Sequence, residues 1–171
     1  MRWTVLGIAL LMACGNSLTN YQPILSVDGG CTTAIQPAAA QPGDLPNVIR
    51  LSVTYSPCDW GNDITPTGVS NQRVTFRPAN DGSSDVDAET LYSFQTGVTM
   101  FTHFTGTGSA YRLSDAGTVF TTTYTGTEIV DGGTVTYNGA TGSIAVSGIA
   151  SGEVGTQVGT GSVTQQGTVA Y

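Results

Sequence analysis

The sequence predicts an all-β protein, folded as a single antiparallel β-barrel of about eight strands and preceded by a signal and a tether. Three observations predict this class. Charged residues make up only 10% of the 171 residues, and the chain contains 23 glycines. Short segments alternate apolar with polar residues, and no segment shows a helical period. A β-sandwich stays open as an alternative, whereas a β-solenoid needs a constant repeat, which the sequence lacks.

The strands can be placed in order along the chain. Residues 14–47 are polar and turn-rich, so we expect a tether and approach segment there, with the barrel at 48–171. Alternation of apolar and polar residues predicts strands at 48–56 and at 72–78, and the acidic segment 79–90 is predicted as a loop. Glycine-punctuated strands follow in six further segments: 91–108, 110–114, 117–130, 133–139, 142–153 and 159–171.

The first residues, MRWTVLGIALLMACGNS, have the pattern of a signal peptide at 1–13. Arg2 precedes an apolar run that is too short to span a bilayer. The run ends in LMAC, which resembles the bacterial lipobox, so we expect Cys14 to be lipidated and to anchor the protein in a membrane. Gly15 then resembles an address for the outer membrane of a two-membrane envelope. An ordinary secretory signal, with Cys14 incidental, is the alternative.

The two remaining cysteines, Cys31 and Cys58, are predicted to form a disulfide, because the leader sends the chain to an oxidising compartment. The bond would close a loop of about 27 residues and stabilise the fold by roughly 3 to 4 kcal/mol. Two buried free thiols are the alternative. The formal net charge of -7 makes nucleic acid a poor partner. We expect no cofactor.

A glycine motif near the C-terminus is similar to a motif of a known family. The motif reads G-G-T-x-x-Y-x-G-A-T-G and runs from Gly132 to Gly142. It resembles the glycine motif of allene oxide cyclase and dirigent proteins, with Val135 where the family usually has a third glycine. The resemblance implies an eight-stranded antiparallel barrel that binds a small, largely apolar molecule. Taken alone, residues 131–133 predict a hairpin turn and TVTY, at 134–137, a strand. A phosphate loop would need a lysine, and the chain has none.

Four residues are candidates for acid–base chemistry, and each has a simpler explanation. His103 is the only histidine, and a general acid or base near neutral pH is its functional interpretation. A structural or surface histidine is the alternative. Arg112 and Asp115 are expected to pair at a barrel mouth or to lie in a solvated turn. Glu128 is expected near a strand end. The chain has no G-x-S-x-G motif for a serine hydrolase.

A cluster of carboxylates between the two halves of the chain raises the question of calcium, which prefers several oxygen ligands. Its members are Asp81, Asp85, Asp87 and Glu89. The glycine that an EF-hand loop requires is replaced by Thr90, so we predict a solvated acidic loop and no metal. Trp60, beside Cys58, is expected to cover the disulfide or an end of the barrel.

Three functions compete on these observations. The first is a lipid-anchored envelope protein whose barrel binds a small apolar or aromatic molecule. It requires a barrel cavity of roughly 300 Å³ or more. The second is a cyclase or isomerase on the same barrel, with His103, Arg112, Asp115 or Glu128 in the cavity wall. The third is a structural or adhesive surface protein, with a filled barrel and an exposed apolar patch.

Overall fold

A computed structural model describes residues 22–61, 63–77, 83–95, 97–110, 112–114 and 116–171. These residues form a closed antiparallel barrel of eight strands, which confirms the predicted fold class. A ninth strand, β6, has only two residues and pairs with β7 alone. The strands are β1 (Ile24–Pro37), β2 (Val48–Tyr55), β3 (Thr67–Phe76), β4 (Ser84–Ser93), β5 (Thr99–Gly108), β6 (Arg112–Leu113), β7 (Val119–Gly133), β8 (Thr141–Glu153) and β9 (Gly159–Ala170).

The topology is an up-and-down meander. Each barrel strand pairs with its neighbours in the sequence, β6 aside, and the pairing of β9 with β1 completes the ring. The pairing between β5 and β7 shifts register between Phe101 and Thr102, which marks a bulge in the wall. Because closure leaves no unpaired edge, every main strand contributes one face to the barrel interior and one to the outside.

The alternation on β4 shows how the two faces differ and corrects one prediction. Its buried residues are Ser84, Val86, Ala88, Thr90 and Tyr92, whereas the residues between them are exposed. The acidic segment 79–90 is therefore not a loop throughout, since β4 begins at Ser84. Negative side chains hide the strand pattern in the sequence because they all occupy the outer face, where charge is not penalised.

Strand β1 lies inside the segment predicted as a tether, so the predicted barrel boundary at residue 48 is wrong. The described barrel begins at Ile24, and β1 pairs with β9 over twelve residues. Gly29, Cys31 and Thr33 occupy inward positions on this strand. The sequence pattern is weak because a glycine and a threonine fill positions that are usually taken by large apolar residues.

The end of the barrel at which β1 begins is closed, and we call it the closed end. Four aromatic rings from separate segments stack there: Trp60, Phe94, Tyr137 and Tyr171. Their centroids are 5.9 Å apart for Trp60 and Phe94, 4.9 Å for Phe94 and Tyr137, and 5.0 Å for Tyr137 and Tyr171. Trp60 is only 1% exposed, so it covers this end of the barrel, as predicted.

The connection between β2 and β3, which carries Trp60, is held against β1 by three kinds of contact. Cys31 and Cys58 form the predicted disulfide. The main chains of Gly30 and Asp59 exchange two N–H···O hydrogen bonds, at 3.0 and 2.9 Å. A Cβ atom on Gly29 would overlap the Asp59 carbonyl group, so glycine is required for this close approach. These contacts fix the connection over the barrel end.

The glycine motif also helps to close this end, but not as the predicted strand. Strand β7 runs to Gly133, and Val135–Tyr137 form a single turn of 3-10 helix. Gly132 has a φ of 111° and Val135 a φ of 50°, a value that favours glycine. The turn directs Tyr137 into the aromatic stack, where it is 8% exposed, and this burial explains why the segment leaves the sheet.

Candidate functional site

The other end of the barrel, which we call the open end, contains a cavity of about 320 Å³ that opens to solvent. The cavity lies where β1, β3, β5 and β8 end and where β2, β4, β7 and β9 begin. Its inner walls are mainly aliphatic and include Ile35, Leu51, Val53, Val74, Val86 and Ala150. A concave, mostly apolar pocket with a few polar groups is the usual form of a small-molecule site.

Inward glycines shape the wall on the β7–β8 side. A Cβ atom on Gly148 would overlap the ring of Tyr124, and one on Gly152 would come within 2.9 Å of the ring of Phe120. Both aromatic rings therefore lie against bare main chain of the neighbouring strand and line the cavity. The frequent glycines in this part of the sequence thus provide space for rings inside the barrel.

A buried polar network lies in the barrel between the cavity and the closed end. The indole N–H of Trp60 donates a hydrogen bond to Oε1 of Gln165 at 2.8 Å. The amide of Gln165 donates to the Tyr92 hydroxyl at 2.6 Å and to Glu128 at 3.1 Å. The Tyr92 hydroxyl donates to Glu128 at 3.1 Å, and the Thr102 hydroxyl donates to the same carboxyl. The donors converge on Glu128, which is 2% exposed.

Burial dominates the electrostatics of Glu128. Loss of water raises the pKa of its carboxyl above the ordinary value of 4.5, while the hydrogen bonds from Thr102, Tyr92, Gln165 and Thr90 oppose that rise. No ion pair of Glu128 with an arginine occurs in the described part of the chain. A buried carboxyl without a cation is stable only when hydrogen bonds satisfy it, which the network provides.

Tyr124 lies on the same inner face of β7 as Glu128, nearer the open end of the barrel. It is four residues before Glu128 in the sequence, and it lines the cavity. Burial raises the pKa of its phenol above the ordinary 10.0, and the nearby Glu128 carboxyl raises it further. Among the described residues, the Tyr124 hydroxyl makes no hydrogen bond. It is therefore a protonated donor available to a molecule in the cavity.

The structure brings only one of the predicted acid–base candidates into the barrel interior. His103 lies on the outer face of β5, with its Nε2 atom 3.4 Å from the Asp87 carboxylate. Arg112 is exposed on β6. Asp115 lies outside the described residues, and so does any pairing with it. None of the described candidates lines the cavity.

The placement of Glu128 corrects the prediction of a strand-end position. It lies within β7, five residues before the strand ends at Gly133, and its side chain is enclosed by the barrel. Sequence reasoning missed its partners Tyr92 and Gln165, and it missed Tyr124. The available signal was the inward register of β7, which puts Tyr124 and Glu128 on one face with the buried Val130.

The acidic candidates for a metal site are spread along the outside of β4. Asp85 is paired with Arg77, Asp87 lies near His103, and Glu89 is exposed. Asp81 lies outside the described residues. Within the described ranges, no group of three or more histidine, cysteine or carboxylate side chains is placed to hold a metal ion. Successive outward residues on a strand are about 6.6 Å apart, which separates these carboxylates.

Cys14, the predicted lipid attachment site, also lies outside the described residues. In the part of the chain that the structure covers, no helix is long and apolar enough to cross a membrane.

Fold and cavity together define a class: an up-and-down β-barrel that is closed at one end and hollow at the other. Comparison with protein-family models finds no match, and comparisons with curated proteins and with solved structures find none either. The resemblance to allene oxide cyclase and dirigent proteins therefore stays a prediction from the glycine motif.

Proposed function

We propose that this protein is a lipid-anchored envelope protein that binds a small, largely apolar molecule at the open end of its barrel. The observation that carries the proposal is the cavity of about 320 Å³ with mainly aliphatic walls. Burial of apolar ligand surface in such a cavity contributes roughly 25 cal/mol per Å². The cyclase and adhesive alternatives remain predictions from the sequence.

The anchoring part of the proposal is supported by the leader and by the place where the barrel begins. Cys14 is ten residues before Ile24, and Ile24 starts β1 at the closed end. Ten residues reach at most about 36 Å when extended. A lipid on Cys14 would therefore tether the barrel by its closed end and leave the mouth of the cavity accessible.

Binding can be tested by filling the cavity. Ala150 lies in the cavity wall, and Ala145 lies on the outer face of the same strand, β8. We expect the neutral dye N-phenyl-naphthylamine to bind the full-length wild-type chain and the Ala145→Phe variant. Ala150→Phe should bind at least about tenfold more weakly, because its ring occupies the ligand volume. Equal binding by all three proteins, measured by fluorescence titration, would place the dye outside the cavity and contradict the proposal.

The anchor is tested separately by metabolic labelling with an alkyne fatty acid in a bacterium that has two membranes. The wild-type chain should incorporate the label and fractionate with membranes, whereas Cys14→Ser should do neither. A mature wild-type protein without label would refute lipidation and leave the binding result unaffected.

A further inference from the structure

The cavity wall includes the Tyr124 hydroxyl, a hydrogen-bond donor that no described residue uses, and the hydroxyls of Thr33 and Ser84 are two others. The Tyr124 hydroxyl faces a mostly aliphatic cavity, and its ring is held between Gly148 and Phe104. The centroids of the Tyr124 and Phe104 rings are 6.4 Å apart in an edge-to-face arrangement. A hydroxyl in apolar surroundings is unfavourable unless it is hydrogen-bonded, so a ligand acceptor at this point is stabilising.

The protonation state of Tyr124 is fixed by its surroundings. Because burial and the Glu128 carboxyl both raise the pKa of the phenol, Tyr124 keeps its proton throughout the physiological range. Tyr124 is therefore a neutral hydrogen-bond donor toward a bound molecule. A phenolate, which would favour a cationic ligand, does not form there.

The charge of the lining disfavours anions. Glu153, which is exposed at the end of β8 near the mouth, is the one charged residue among the described residues that border the cavity. The described arginines do not compensate, because none of the four, Arg50, Arg73, Arg77 and Arg112, lines the cavity. A carboxylate in the cavity would lose water without gaining a cation, which is costly.

We propose that the cavity selects neutral, mainly aliphatic molecules that carry a carbonyl or ether oxygen, and that this oxygen accepts a hydrogen bond from Tyr124. The inference rests on the proposed function, since it names the ligand class of the same cavity. The volume of about 320 Å³ equals that of about ten liquid water molecules, so the ligand has roughly 10 to 20 non-hydrogen atoms. Free fatty acids of the same length are excluded by charge rather than by size.

Three probes of equal chain length test this selection: methyl octyl ketone, decane and decanoate. Each is titrated into the full-length chain, and displacement of N-phenyl-naphthylamine is measured at neutral pH. We expect the ketone to bind most tightly and decanoate at least about tenfold more weakly than the ketone. Glu153→Gln should narrow the gap between ketone and decanoate, because it removes the negative charge from the lining.

Tyr124→Phe tests the hydrogen bond itself. It should weaken ketone binding about fivefold, the usual worth of one neutral hydrogen bond, and leave decane binding unchanged. Tyr171→Phe, at the closed end, is the matched control and should bind all three probes as the wild type does. An independent readout is the infrared carbonyl stretch of the bound ketone, which should lie at lower frequency in the wild type than in Tyr124→Phe.

Failures of the two proposals are distinguishable. Decanoate that binds as tightly as the ketone, or a Tyr124→Phe variant that leaves ketone affinity and carbonyl frequency unchanged, overturns the selection while the cavity remains a binding site. A wild-type protein that binds neither the dye nor any of the three probes overturns the proposed function as well.

Discussion

At the closed end of the barrel, aromatic rings from four segments contact one another across the end, whereas at the open end mainly aliphatic side chains line a cavity. The two ends have the same strands and the same alternation, so the difference arises in the connections. A disulfide and paired main-chain groups hold the β2–β3 connection across the closed end. We infer that the closed end contributes most of the stability, whereas the proposed ligand site lies at the open end.

Among the substitutions that test this contrast, the one at Trp60 is expected to change the free energy of unfolding most. Trp60→Ala should lower the free energy of unfolding by about 3 to 5 kcal/mol, because it removes a fully buried ring and the donor to Gln165. Leu113→Ala, at the open end, is the control. Leu113 is 52% exposed, so its variant should lose less than about 1 kcal/mol. Urea denaturation measures both, and equal losses would refute the division between the two ends.

The disulfide should have the next largest effect. The double variant Cys31→Ala/Cys58→Ala frees a loop with a sequence separation of 27 residues. We expect it to lower the free energy of unfolding by about 3 to 4 kcal/mol. Addition of a reductant during denaturation should destabilise the wild type and leave the double variant unaffected. A reductant effect on the double variant would show that the wild-type loss has another source.

The polar network between the ends predicts a pH effect. The folded chain binds the Glu128 proton more tightly than the unfolded chain, so this stabilising contribution is complete below pH 4.5 and is lost as pH rises through the raised pKa. Glu128→Gln should therefore gain stability relative to the wild type as pH rises above 4.5, where the wild type begins to lose this contribution. Thermal unfolding at several pH values tests this.

Glu89→Gln, the same carboxyl-to-amide change at an exposed position on the outer face of β4, is the matched control for that experiment. Asp44 and Asp85 contribute with the opposite sign, because hydrogen bonds from Arg50 and Arg77 lower their pKa values. Their contribution is present in all three proteins and cancels in the comparison. A wild-type profile in Glu128→Gln would contradict the assignment.

The smallest expected effect is a gain of stability at Val135. This residue is 79% exposed and has a φ of 50°, which a β-branched side chain disfavours. Val135→Gly should relieve the strain and raise the free energy of unfolding by up to about 1 kcal/mol. Val158→Gly, at the open end, should lower it by about 0.5 to 1 kcal/mol, since glycine only adds freedom to the unfolded chain. A loss at both positions in urea denaturation would contradict the strain.

Much of the fold was predictable because closed sheets impose a two-residue period. Segments such as β2, with Val53 and Tyr55 buried and Thr54 exposed, show that period plainly. The prediction failed where inner positions are not apolar, as at Gly29 and Thr33 of β1. It also failed where outer positions are strongly acidic, as on β4. In these strands inward and outward positions still alternate, but the hydropathy of the side chains does not follow that alternation throughout.

The candidate site was less predictable than the fold. A cavity exists where side chains from opposite walls of the barrel do not contact one another, and the sequence does not show this. Glu128 was an acid–base candidate expected near a strand end, yet its burial and its bonds to Tyr92 and Gln165 depend on pairings across many residues of sequence. The aliphatic cavity residues resemble any core residues in the sequence. They line a cavity only because the opposite wall of the barrel is too far away for its side chains to contact them.

The fold class, the disulfide and the acidic net charge could be predicted from the sequence, because alternation, cysteine number and composition are local or summed properties. The tertiary structure decided which end is closed, that Val135 turns Tyr137 inward, and that Tyr124 faces the cavity without a partner. These outcomes depend on which side chains contact one another inside the barrel. Strand register and the connections between strands determine those contacts, and no single segment of the sequence does.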